Sequence, residues 1–105
     1  MSKLEQMDKY VMLIGMADKD MKKQTIPTEQ FKDTINRICG DCSIFEGITG
    51  YYSHEDGTKV KEDTLRVELL FKDDAEVRLM AKQLKSELNQ ESIVLEKLTS
   101  MSALI

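Results

Sequence analysis

The chain has 105 residues, with 15 Lys plus Arg against 19 Asp plus Glu and a formal net charge of −4. That length fits one domain, its 41% hydrophobic content is too high for a disordered chain of such modest charge, and its mild acidity argues against direct nucleic-acid binding, which needs a net basic face. No apolar run approaches the ~20 residues of a membrane span, and the opening Met1-Ser2-Lys3-Leu4-Glu5-Gln6 carries no apolar signal core, so a cytoplasmic protein is expected.

The first predicted strand is Tyr10 to Met16, apolar at nearly every position. A short apolar run of β-formers reads as a strand buried on both faces, hence central in its sheet. A polar loop, Ala17 to Ile26, follows. Pro27 suits the first helical position, with Thr25 or Ile26 as the cap, and Glu29 favours the positive helix end. Phe31, Ile35, Ile38, Cys39 and Cys42 fall on one helical stripe, and Gly40 is the natural stop. A second strand is expected around Ile48 to Ser53, then a hairpin turn at His54-Glu55-Asp56-Gly57. The third strand, about Lys59 to Phe71, sets Leu65, Val67, Leu69 and Phe71 against Thr64, Arg66, Glu68 and Leu70. Asp73 and Glu76 have capping-box spacing before a second helix, whose stripe is Val77, Met80, Ala81, Leu84 and Leu88. Asn89 ends it. Ser92 to Leu98 gives the fourth strand, and residues 99–105 form a tail.

The order β-α-β-β-α-β predicts an α+β, ferredoxin-like sandwich, with two helices on one face of a four-stranded, antiparallel-rich sheet. Right-handed crossovers place strands one and three in the centre. One domain, 1–105, is expected, with its core at about 8–98. The other sheet face is open yet not fully polar. Strand one is apolar on both parities, strand three adds Leu70, and strand four offers either Ile93 and Leu95 or Val94 and Leu98. Such a patch predicts a homodimer through the sheet face. The alternative is that a terminal segment folds over it.

Candidate chemistry is sparse. Cys39 and Cys42 form a C-x-x-C, but at a helix C-terminus, where the dipole disfavours a thiolate. With His54 as the only histidine, a four-ligand zinc site is incomplete. Core packing is the expected role of the pair, with no metal and no cofactor. His54 reads as a solvated turn residue. No nucleophile constellation and no phosphate loop stands out, so no catalytic residue is assigned. Glu62, Arg66 and Glu68 share one parity of the third strand. Two carboxylates beside a guanidinium can hold a polar ligand, or form an ion-pair row on the open face. Tyr51 and Tyr52 face opposite ways, one of them expected in the core.

The Gly47-Ile48-Thr49 step, Glu62 in the long strand and the closing Asn89-Gln90-Glu91-Ser92-Ile93 resemble a small bacterial family, a domain of unknown function with a ferredoxin-like core. Phe31 stands here where that family has Trp. The resemblance implies the same fold and nominates Glu62, Gln90, Glu91 and Ser92. A Gln beside a Ser supplies both donors and acceptors, and Arg66 can meet an anion. The expected function is a small oligomeric binding protein without catalysis. It would hold a small polar or anionic ligand near a dimer interface, through Glu62, Arg66, Glu68, Gln90, Glu91 and Ser92. The alternatives are a phage or other mobile-element inhibitor or accessory factor, whose acidic surface occupies a basic protein partner, and a dimeric α+β-barrel enzyme with Glu62 or Glu68 as base.

Overall fold

The computed structural model describes residues 3–105; Met1 and Ser2 of the opening segment lie outside the described residues. The elements are β1 (Glu5–Gly15), α1 (Thr28–Cys39), β2 (Ser43–Ser53), β3 (Lys59–Leu70), α2 (Asp74–Glu87) and β4 (Val94–Ser102). The strands form one sheet of order β2-β3-β1-β4, antiparallel at every junction. This is the ferredoxin-like arrangement that the element order predicts, with β1 and β3 inside.

Strand alternation sets the two faces. Tyr10, Met12 and Ile14 of β1, with Met16 just after it, pack with Leu65, Val67 and Leu69 of β3 against Phe31, Ile35 and Cys39 of α1, Val77 and Leu84 of α2, and Leu88 at the end of α2. That even parity of β1 is the helix side. Val11, Leu13 and Gly15 therefore face the open side, with Glu62, Thr64, Arg66 and Glu68 of β3 beside them. On β4 the register pairs Val94 with Leu13 and Leu98 with Lys9, so Val94 and Leu98 are the open-face residues.

Both helices start and stop as their end residues dictate. Asp73 accepts from the Glu76 N–H at 2.8 Å, and Glu76 reaches back to the Asp73 N–H. Pro27 is itself the N-cap of α1, and no side chain caps that end. Gly40 (φ 70°) and Asn89 (φ 50°) take positive φ after each helix. Arg37 of α1 pairs with Glu87 of α2.

Three strands run past their expected ends. β2 begins at Ser43, because a bulge between Phe45 and Ile48 breaks its alternation, with Gly47 at φ 78°. β1 begins at Glu5 and β4 continues to Ser102, since these polar ends pair with each other, Glu5 opposite Ser102. Residues 99–102 of the expected tail are thus strand. Tyr51 and Tyr52 also depart from expectation. Tyr51 is 74% exposed and Tyr52 half-buried, so neither joins the core. β2 is one of the two edge strands.

Candidate functional site

One end of the open face holds a small cavity of about 120 Å³. It lies among Gly15 and Ala17 at the end of β1, Tyr52 and His54 at the end of β2, Glu62 on β3, and Gln90, Glu91, Ser92 and Val94 before and on β4. The antiparallel pairings bring all these segment ends to one edge.

Glu62 is the centre of the site. Its Oε2 accepts the Ala17 N–H at 2.6 Å. Its carboxylate lies flat over Gly15: a Cβ on that residue would stand 2.1 Å from Oε1. Only glycine leaves that room. Among the described residues, no Lys or Arg comes within ion-pair distance of Glu62. Burial pushes its carboxyl above the ordinary value, while the Ala17 N–H and the nearby His54 pull it down. Gly50 opens a second gap, where a Cβ would meet the Tyr52 ring at 2.2 Å and Thr64 Oγ1 at 2.6 Å. Tyr52 thus lies folded over its own strand beside the cavity.

Hydrogen bonds between connections build the cavity wall. Glu91 accepts the Glu55 N–H at 3.2 Å, and its other oxygen is 3.1 Å from His54 Nδ1. Gln90 is buried, its amide nitrogen donating to the Leu88 carbonyl at 3.1 Å. Asn89 donates to Asp18 at 2.7 Å and to Asp20 at 2.9 Å, which ties the loop after β1 to the turn before β4. The Asn89 bond, foremost, holds the Asp18 carboxyl below its ordinary value. Beyond Gln90 and Glu91 the surface continues as a wider groove between Lys19, Lys22 and Lys85.

The structure brings Glu62, Gln90, Glu91 and Ser92 of the candidate set together. It does not bring Arg66 or Glu68 to them. Arg66 Nε is 2.9 Å from one Glu68 oxygen and Lys9 Nζ is 2.7 Å from the other, which is the ion-pair row. His54, expected in solvent, is buried. Gly15, Tyr52 and His54 line the same cavity and were not among the candidates read from the sequence. A lone glycine inside the apolar first strand was a readable sign of close approach; nothing local marks His54. Cys39 is buried as expected, and burial pushes its thiol up to about 11. The described residues contain no cluster of His, Cys, Asp and Glu able to hold a metal ion. Nor do they contain a helix long and apolar enough to cross a membrane.

No protein-family model matches the chain, and no curated protein sequence matches it. Solved structures do share its fold. A phage SAM (S-adenosylmethionine) lyase in complex with S-methyl-5'-thioadenosine is 18% identical. The match covers 97% of this chain and 95% of that one at a TM-score of 0.70. A nitrogen regulatory PII-like protein from Thiomonas intermedia, bound to ADP, AMP and bicarbonate, is 13% identical over 98% and 99% of the two chains, at a TM-score of 0.57. CutA from Synechococcus elongatus is 11% identical over 95% of this chain and 81% of that one, at a TM-score of 0.52. At these identities the likeness is one of fold.

Proposed function

We propose that the Glu62 cavity binds S-adenosylmethionine and that the chain splits it to S-methyl-5'-thioadenosine. The observation that carries this reading is the half-buried Glu62 carboxylate, which faces a cavity with no Lys or Arg to pair it. A buried anion without a partner is unfavourable, and a cation entering the cavity relieves it. A sulfonium is such a cation. Two neighbours of this fold supply the other half of the argument, since S-methyl-5'-thioadenosine in one and ADP and AMP in the other all carry adenosine. Tyr52 beside the cavity offers an aromatic face for stacking. The reaction needs no second substrate. When the bond from sulfur to the amino-acid side chain breaks, its electron pair stays on sulfur and leaves a neutral thioether. A carboxylate oxygen of the same amino-acid fragment attacks that carbon as the C–S bond breaks, and the new C–O bond closes a five-membered lactone, so charge and atoms balance without water or a base.

A cavity of about 120 Å³ is smaller than the ~300 Å³ or more of a typical small-molecule site. Part of the ligand would rest on the open face outside. Phe45, Val94 and Leu98 are exposed there, and Val94 also lines the cavity. Self-association through this face would bury those side chains and close the site, in keeping with a ligand at an interface between copies. Light scattering on the wild type and on Leu98→Lys tests this; a monomer in both overturns it.

The functional test is chromatography of S-adenosylmethionine incubated with the chain. Release of S-methyl-5'-thioadenosine is expected, reduced roughly 100-fold at sub-saturating S-adenosylmethionine in Glu62→Gln, because the sulfonium loses its partner charge and binds more weakly. Binding without release would leave a binding protein. Absence of both would overturn the reading.

A further inference from the structure

Among the described residues, His54 is the one side chain with two buried polar atoms that lack a hydrogen-bond partner. Its backbone is fixed in the hairpin turn, donating to the Thr58 carbonyl at 2.8 Å and accepting from the Gly57 N–H at 2.9 Å. Its side chain is 7% exposed and lines the cavity. Neither ring nitrogen makes a hydrogen bond, although Nδ1 stands 3.1 Å from a Glu91 oxygen, an ion-pair distance once the ring is protonated. Buried polar atoms are almost always paired, so an orphaned imidazole at a cavity calls for a reason.

The charged groups around it supply one. Glu62 faces it from β3 and Glu91 from the connection before β4. Its own turn carries Glu55 and Asp56, and Lys22 from the loop after β1 is 3.6 Å from Asp56. The carboxylates that line the cavity are thus Glu62 and Glu91, and His54 is the one side chain lining it that is able to gain a positive charge.

We propose that His54 sets the pH at which this pocket admits its cation. Uncharged, the imidazole leaves Glu62 and Glu91 to the ligand. Protonated, it supplies the compensating charge itself and competes with the ligand. Histidine is the side chain that changes charge between about pH 5 and 8, where such competition is felt. Proton uptake linked to ligand release changes affinity by up to about tenfold per pH unit. This inference rests on the reading of the site as one for a sulfonium.

The test is calorimetric titration of the full chain with S-adenosylmethionine across that pH range, for the wild type and His54→Gln. Wild-type affinity is expected to fall by about tenfold or more toward the acid end. The Gln variant, which cannot take up charge, should hold its affinity to lower pH, and any fall that remains belongs to the carboxylates Glu62 and Glu91. Superimposed pH curves overturn the role of His54 and leave the ligand reading standing. No binding at any pH overturns both. A second measurement covers a variant that fails to fold. His54 is the only histidine, so proton NMR follows its titration directly in the wild type. Saturation with ligand should move that titration to lower pH; an unmoved titration counts against the proposal.

Discussion

Glu62 and Glu68 stand on one strand and one face, yet their surroundings drive their carboxyls in opposite directions. Glu68 meets Lys9 at 2.7 Å and Arg66 at 2.9 Å. The Lys9 bond, foremost, holds its carboxyl below the ordinary value of 4.5. Glu62 meets one backbone N–H and no Lys or Arg, and burial raises its carboxyl above the same value. The paired glutamate holds strands together. The other has no cationic partner and lines a cavity. The same residue type on the same face is therefore ion-paired at one end of the sheet and open to the proposed ligand at the other, and the difference lies in the neighbours on β1. Lys9 supplies a cation at the first end, whereas Gly15 supplies space at the second.

The widest expected gap between the two ends is in turnover. At sub-saturating S-adenosylmethionine, Glu62→Gln should abolish nearly all release of S-methyl-5'-thioadenosine, while Glu68→Gln should leave it within about twofold, as expected of a charge remote from the reacting atoms. Gly15→Ala is the next sharpest probe. The new methyl group displaces the Glu62 carboxylate, and a misplacement of about 1 Å is enough for a roughly 100-fold loss. Circular dichroism should still show the folded chain. If Gly15→Ala keeps full activity, the carboxylate does not act from its place over Gly15.

Stability gives a smaller effect with a definite sign. The Glu62 carboxyl is raised in the folded chain, so its ionisation opposes folding, and stability falls as pH rises through the interval above 4.5. Glu62→Gln should therefore unfold at a higher temperature than the wild type at neutral pH, and the gain should vanish as pH falls below 4.5. Glu68 works the other way. Its contribution is full above 4.5 and is lost as pH falls through its lowered folded value. Glu68→Gln should unfold at a lower temperature at neutral pH and converge with the wild type in acid. Thermal melts across pH decide both, and equal signs for the two variants would break the contrast. The smallest effect is expected from Arg66→Ala. A half-exposed pair of this kind contributes about 1 kcal/mol or less, and ligand affinity should not change.

Local patterns reveal the fold and half of the site. The helical stripes, the Asp73 capping box and the apolar run of β1 each carry their own period or end signal, so their elements lie close to where the sequence places them. The bulge at Gly47 and the polar strand ends carry no such signal, since pairing with a distant strand defines them. The site follows the same divide. Glu62, Gln90, Glu91 and Ser92 stand out through short motifs. Arg66 and Glu68 share the parity of Glu62, but parity fixes only the face and not the distance along it, and Lys9 had already claimed Glu68. His54 sits in a turn that the hairpin pattern marks as solvent-exposed. Its neighbour Glu91 is far away in the chain, and only the tertiary structure shows that contact.

The place of β1 between β3 and β4 also has a kinetic consequence. Each neighbour of β1 lies far along the chain, and closing such long loops slows folding. The cavity draws on the ends of β1, β2, β3 and β4 alike, so no hairpin or half-sheet contains it. The two-stranded β2–β3 hairpin can form early with Glu62 already on it, but its carboxylate then has neither Gly15 to lie across nor Glu91 and Ser92 beside it. The cavity is complete only when β4 has docked, so a ligand bound there would hold β4 on the sheet.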